Sequence, residues 1–343
     1  MNMKKRSAFG LVAQILLLLN AASTVFAGPP TGESAKATVE EERALQGMNG
    51  RIKGKIAWSS SREGNHRIFV MNCDGSDAHR VTQTSHTDWF SRFSPDGKQI
   101  LYCRSKLDWS MESEVDHNKM WDTWIINANG TGERLLIKDA TWATWTKDGT
   151  GIIFSRGTQV FSFGVATQAE TLLCDSEKDG LDGAILQNPN LSPDGKSLAI
   201  TLRGKKRETG ILSLADKKWE KVGEGCQLSW FPDGARLVTV NPTGNGGSEI
   251  YCYRLKDVLG NSNPSEKELR FMDLPGRRSH EYFPKISSDG KWMVWAATQR
   301  GHDHDMADYE IYLWEVGTPQ EGAVRLTFHT GNDRWPDIFV EKE

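Results

Sequence analysis

The sequence predicts an all-β fold, a six-bladed β-propeller of four-stranded antiparallel blades closed by the C-terminal strand. Three observations predict it. A turn phrase recurs five times at blade-like intervals, apolar strand pairs follow each copy, and the two chain ends hold complementary parts of one further blade.

The recurring phrase is Phe93-Ser-Pro-Asp-Gly97, Trp145-Thr-Lys-Asp-Gly149, Leu191-Ser-Pro-Asp-Gly195, Trp230-Phe-Pro-Asp-Gly234 and Ile286-Ser-Ser-Asp-Gly290. Its aspartates, Asp96, Asp148, Asp194, Asp233 and Asp289, are separated by 52, 46, 39 and 56 residues, the spacing of blades with variable loops. The phrase is hairpin-turn chemistry: proline presets φ, aspartate bonds its own backbone and glycine supplies a positive φ. An apolar strand follows each turn, as in Ile100-Leu-Tyr102 and Met293-Val-Trp295. A second aromatic and β-branched strand comes next, as in Trp124-Ile-Ile126 and Ile311-Tyr-Leu-Trp314. Outer strands end in phrases such as Arg134-Leu-Leu136. No 3.6-residue period competes in this region.

The ends complete the count. Gly54 to Thr82 holds a second, third and fourth strand with no first, and Asp333 to Val340 reads as a first strand with nothing after it. Pairing them makes a sixth blade and leaves no long open sheet edge.

Residues 1–27 read as a signal peptide: Lys4-Lys5-Arg6, an apolar run from Ala8 to Ala22, then Val25-Phe-Ala27 before Gly28. The run is shorter than the roughly 20 residues that span a bilayer, so no stable membrane insertion is expected after cleavage. Residues 28–50, rich in Pro, Gly, Glu and Ala, read as a linker, and residues 51–343 as the propeller. The expected location is the periplasm or outside the cell. Losing three basic residues takes the formal charge from −3 to −6, which gives nucleic acid no attraction. Cys73, Cys103, Cys174, Cys226 and Cys252 show no C-x-x-C or metal-finger spacing. No disulfide is expected: Cys226 and Cys252 fall two strands apart, roughly 9–10 Å, beyond bridging reach.

The Ser-Pro-Asp-Gly turns, the Asn72-Cys-Asp-Gly75 and Asn127-Ala-Asn-Gly130 turns and the Arg-Val/Leu-Thr strand ends resemble the TolB-like propeller repeat, a WD40-like repeat, from about residue 54 to 343. The resemblance implies a six-bladed propeller acting outside the cytoplasm. Similar repeats occur in the propeller halves of prolyl-oligopeptidase-like peptidases, whose hydrolase domain carries a G-x-S-x-G nucleophile elbow that this sequence lacks. The histidines invite comparison with oligogalacturonate lyase, a propeller that holds a divalent metal.

Antiparallel geometry puts the short Asp-Gly turns on one face and the long, varied loops on the other, where binding residues collect on a rigid scaffold. Three long-face loops carry a histidine just before an innermost strand: His86 with Asp88, His280 with Glu281, and His329 with Asp333 and Arg334. Outer loops of the same blades carry Arg62 and His66, Trp109 through His117, and Arg300-Gly-His302-Asp-His304-Asp305. Seven of the eight histidines map to this sector, His79 being the exception. His86, His280, His329, His302 and His304 are candidate ligands for a divalent metal. The whole group equally suits a protein, peptide or carbohydrate ligand, and Asp88 and Asp333 also suit a strand-capping role. Two functions stay open: a monomeric, non-catalytic binding scaffold, or a metal-dependent polysaccharide lyase with Arg62, Arg300 and Arg334 on an acidic sugar. No residue is assigned a catalytic role. Trp145, Trp230, Trp295 and Trp314 are assigned to packing between blades.

Overall fold

The computed structural model describes residues 34–342, apart from 113–117, 206, 245–246, 261–264, 266–268, 277, 300 and 302. The expected signal peptide, and His302 and Arg300 among the candidate site residues, lie outside the described residues. Six four-stranded antiparallel sheets form the six blades. Blade 1 joins the chain ends: Asp333–Val340 is its inner strand, followed outward by Gly54–Ser60, Arg67–Asn72 and His79–Arg80. Blades 2 to 6 begin on the inner strands Asp88–Phe93, Thr141–Trp145, Ile185–Leu191, Cys226–Trp230 and His280–Ile286. Each inner strand touches the inner strands of both neighbours, so the ring is complete. Closure pairs the expected strands, with Gly54 opposite Val340, Ile56 opposite Ile338 and Ser59 opposite Arg334.

The turn phrase folds as its chemistry predicts. In blade 2, Ser94 Oγ donates to Asp96 Oδ1 at 2.6 Å, while Lys98 N donates to the same oxygen at 3.1 Å. Gly97 takes φ 71°, a left-handed value that a side chain would resist. Each turn is thereby satisfied within itself. The tryptophans hold neighbouring blades as expected: Trp145 Nε1 donates to the Arg92 carbonyl at 3.3 Å and Trp230 Nε1 to the Asn190 carbonyl at 3.0 Å. Trp295 is fully buried, and Trp314 meets Phe271 of blade 5 edge-on at 5.2 Å.

The stretch read as linker contains a helix, α1 (Val39–Gln46). Its sequence has little apolar pattern, but Thr38 and Glu41 form a reciprocal capping box. Ala44, Leu45 and the buried Met48 pack on the main core cluster, and Glu41 Oε1 accepts from Arg325 at 3.2 Å. No described helix is long and apolar enough to cross a membrane. All five cysteines are free thiols; burial pushes Cys73 and Cys174 up to about 12 and Cys103, Cys226 and Cys252 to about 11.

Candidate functional site

The inner strands share a feature that shapes the channel. Each slips register by a β-bulge near its middle. One residue of each bulge takes a left-handed conformation: Phe90 (φ 59°), Trp142 (57°), Asn188 (50°), Gln227 (60°), Phe283 (60°) and Trp335 (54°). Left-handed backbone costs an L-residue roughly 1–2 kcal/mol, and six repetitions around one axis make it part of the architecture. Phe90 packs on Trp142 at 4.0 Å and on Trp335 at 4.1 Å, and Phe283 packs on Trp335 at 4.2 Å. Blades 1, 2, 3 and 6 thus plug the channel with aromatic rings. Blades 4 and 5 contribute only the amides of Asn188 and Gln227.

Where the ring of side chains is short, the long-loop face opens into a pocket of about 770 Å³. Trp142, Asn188, Gln227 and Trp335 contribute to its lining, together with Gln187, Asn241, Ser248 and Tyr282. Arg203 and Arg207, directly opposite each other across a hairpin of blade 4, stand on one side. Met111, Glu112, Asp303, His304 and Asp305 are brought in by the outer loops of blades 2 and 6.

Glu112 joins those two loops. Its Oε1 accepts from His304 Nδ1 at 2.8 Å, and its Oε2 accepts from Arg334 Nη1 at 2.9 Å and Trp335 Nε1 at 3.3 Å. Its backbone N–H donates to Asp305 Oδ1 at 3.0 Å. Burial alone would raise the Glu112 carboxyl, but His304, Arg334 and Trp335 outweigh it and hold it below the ordinary range. With Nδ1 donating to a carboxylate, the His304 Nε2 is buried at the pocket with no hydrogen-bond partner.

Among the described candidates, His304 alone lines this pocket. The others have structural partners. Asp88 takes a bidentate ion pair from Arg104 at 2.7 and 3.0 Å. Asp333 takes Arg62 at 2.7 Å, and the Arg62 guanidinium lies over the Trp58 ring at 5.3 Å. Arg334 is fully buried over Trp89 and pairs with Glu112 and Asp305. His66 is fully buried, bonded through Nδ1 to Ser59 Oγ at 3.0 Å, and burial then Arg334 press its pKa well below the ordinary value. Trp109, expected to be exposed, is half-buried and stacked on His66 at 6.3 Å. Burial pushes the Glu281 carboxyl up to about 8 while Leu274 N donates to it at 2.9 Å.

The three histidines before inner strands sit in separate surroundings. His329 Nδ1 accepts from Gly331 N at 2.9 Å and its backbone donates to Glu310. His280 bridges to Ser248 and packs by Gly301, and His86 gives its carbonyl to Arg67 at 2.9 Å. Among the described residues no group of three or more His, Cys, Asp and Glu side chains is placed to hold a metal ion. The donor set expected around His86, His280, His329 and His304 therefore does not fit one metal, and no chemistry is routed through one.

Sequence reasoning missed Trp142, Asn188, Gln227 and Trp335; for the first three the signal was present, since in blades 2 to 6 the left-handed residue stands seven positions before the turn glycine. The pocket opens beside the histidine sector because Glu112, Asp305 and Arg334 close that sector.

No family model matches the chain. Over 271 residues it is 22% identical to dipeptidyl-peptidase 5 of Porphyromonas gingivalis, covering 76% of this chain and 37% of the peptidase. A 57-residue stretch, 17% of this chain and 13% of the relative, is 40% identical to the Tol-Pal system protein TolB of Geobacter metallireducens. The chain thus spans well under half the length of these relatives. The crystal structure of TolB from Acinetobacter baumannii superposes with a TM-score of 0.59 at 14% identity, over 87% of this chain and 69% of that one. This is a TolB-like six-bladed propeller. Its likeness to the solved TolB is one of fold.

Proposed function

We propose that this TolB-like propeller is an exported binding protein whose ligand, a peptide or a short glycan, seats in the pocket over blades 4 and 5. The observation that carries the reading is the pocket itself, about 770 Å³, within the range of small-ligand sites. Its Trp142, Tyr282 and Trp335 give apolar surface for a sugar face or an apolar side chain, while Gln187, Asn188, Gln227 and Asn241 offer both donors and acceptors. Arg203 and Arg207 suit an anionic end group and Asp303 a cationic one. The fold positions Trp142, Gln187, Asn188, Gln227, Tyr282 and Trp335 on inner strands of the ring, which limits the entropy lost on binding. Export rests on the basic and apolar pattern of residues 1–27.

The test is a display screen of peptides and a glycan array, each run with the wild type, Asn188→Trp and His86→Ala. Asn188→Trp fills the pocket with a residue type that blades 1 and 3 already hold in the same conformation. Binding should be lost there and kept in His86→Ala. Ligands held equally well by Asn188→Trp would reject the pocket.

A second reading is favoured by one observation, the unpartnered His304 Nε2 beside the pocket with Glu112 behind the ring. That pair suits a general base. Under this reading a bound ligand is turned over by the wild type and bound unchanged by His304→Gln.

A further inference from the structure

Two residues beyond each left-handed position, the inner strands place Arg92, Thr144, Asn190, Ser229, Lys285 and Asp337 at one level of the channel. Their registers agree: Arg92 is opposite Leu101, Thr144 opposite Ile153, Asn190 opposite Ala199, and Lys285 opposite Val294. The next residue along, such as Phe93, Ile286 or Ile338, packs into the clusters between blades. Strand alternation puts this level on the opposite sheet face, and Lys285 of blade 6 reaches Asn190 of blade 4, two blades away, so the level meets at the axis.

The level carries two cations and one carboxylate. Lys285 is 9% exposed and Arg92 6%. The Lys285 ammonium reaches Asn190 Oδ1 at 3.5 Å, the outer limit of a hydrogen bond, and the Arg92 Nη1 donates to the Ser91 carbonyl at 2.7 Å. Asp337 stands between them in ring order and spends Oδ2 on the Phe93 N–H at 2.7 Å. Among the described residues neither cation forms an ion pair. A buried charge without compensation is costly, and one carboxylate cannot neutralise two cations. The site must shed a proton or admit an anion. Arg92 keeps its proton at any working pH, and only Lys285 can yield one.

We propose that the channel binds one small monovalent anion, a halide such as chloride, held by Lys285 and Arg92. Thr144 and Ser229, the short members of the level, leave the width the ion occupies. Its charge neutralises the excess, and the inner strands of blades 2 and 6 that hold it are tied together at the axis. Burial and then Arg92 press the Lys285 pKa down to about 7, against the opposing pull of Asp337, so the ion is held more weakly in alkaline solution.

The experiment is thermal melting of the full mature chain in sodium chloride and in sodium gluconate at equal ionic strength, at about pH 6 and about pH 8.5. It is paired with anomalous diffraction from crystals grown in bromide. The Tm should rise by several degrees with chloride at the lower pH, and much less at the higher. One bromide peak should lie in direct contact with Lys285 Nζ. Lys285→Met should melt alike in both salts. If that variant does not fold, the wild-type bromide peak decides alone. Equal Tm values in chloride and gluconate, or a chloride effect without a channel peak, would overturn the proposal.

Discussion

Glu112 and His304, 192 residues apart in sequence, share a 2.8 Å hydrogen bond that ties the outer loops of blades 2 and 6 together across blade 1. The same carboxylate receives Arg334. Replacing it with Gln leaves the fully buried Arg334 short of charge, and breaking such a pair costs about 3 kcal/mol or more. Glu112→Gln should lower the Tm by several degrees, and should widen the pocket enough to expose Trp335 to a fluorescence quencher. An unchanged Tm would show that the two loops are held by other contacts.

The pH response of stability should have two opposite arms. The Glu112 carboxyl is held below its ordinary pKa, so the stability it supplies is complete above about pH 4.5 and is lost as pH falls through the folded value. Glu281 is pushed up to about 8 by burial. The folded state then binds more protons than the unfolded one between about pH 4.5 and 8, and stability falls as pH rises through that window. Glu281→Gln, which copies the protonated acid, should remove that residue's share of the alkaline arm, while Glu310, pushed up to about 8 by burial and then Asp333, keeps its own. Urea titrations at several pH values would check both slopes.

The aromatic plug and the amides of the same ring should differ sharply in their cost of removal. Trp335→Ala strips a ring that touches Phe90, Trp142 and Phe283 and should cost about 3–5 kcal/mol. Asn188→Ala removes a side chain at the pocket floor and should cost under about 1 kcal/mol. Chemical denaturation of both variants measures the contrast, and equal costs would contradict the packing described.

Closure can be tested by truncation after Asn332. This removes the strand that pairs with Gly54–Ser60 and abuts the inner strands of blades 2 and 6. The shortened chain should lose its cooperative melting transition, whereas removing Lys342 and Glu343 should leave it.

The thiols offer a last check on burial. In the native protein Cys73, Cys103 and Cys174 are buried and held protonated by their surroundings, so a thiol reagent at neutral pH should label them only as fast as the protein opens. All five should titrate after denaturation. A bridge found between Cys226 and Cys252 would contradict their strand positions on blade 5.

The fold was legible because its information is local. Asp96-Gly97 and its four counterparts each specify a turn through bonds made within a few residues, and the alternating strands between them need no distant partner to be recognised. The site was less legible because it is assembled from residues that meet only across the ring. Nothing near Glu112 announces Arg334, 222 residues away, and a loop histidine such as His66 reads alike whether it is solvated or stacked under Trp109. Asp88 and Arg62 were singled out for their charge, and the structure uses that charge on partners in their own blades. The helix at Val39–Gln46 escaped notice because a capping box and two small contacts, rather than an apolar stripe, hold it.

The left-handed residue of each inner strand has a consequence for how such a protein can change. Its conformation is imposed by the bulge and the strands on either side, and Phe, Trp, Asn and Gln all occupy it within this one chain. Side-chain identity at these six places is therefore uncoupled from the scaffold that presents it. A few substitutions there could move the opening from one pair of blades to another, so descendants with the same framework could acquire different ligands without first solving the folding problem again.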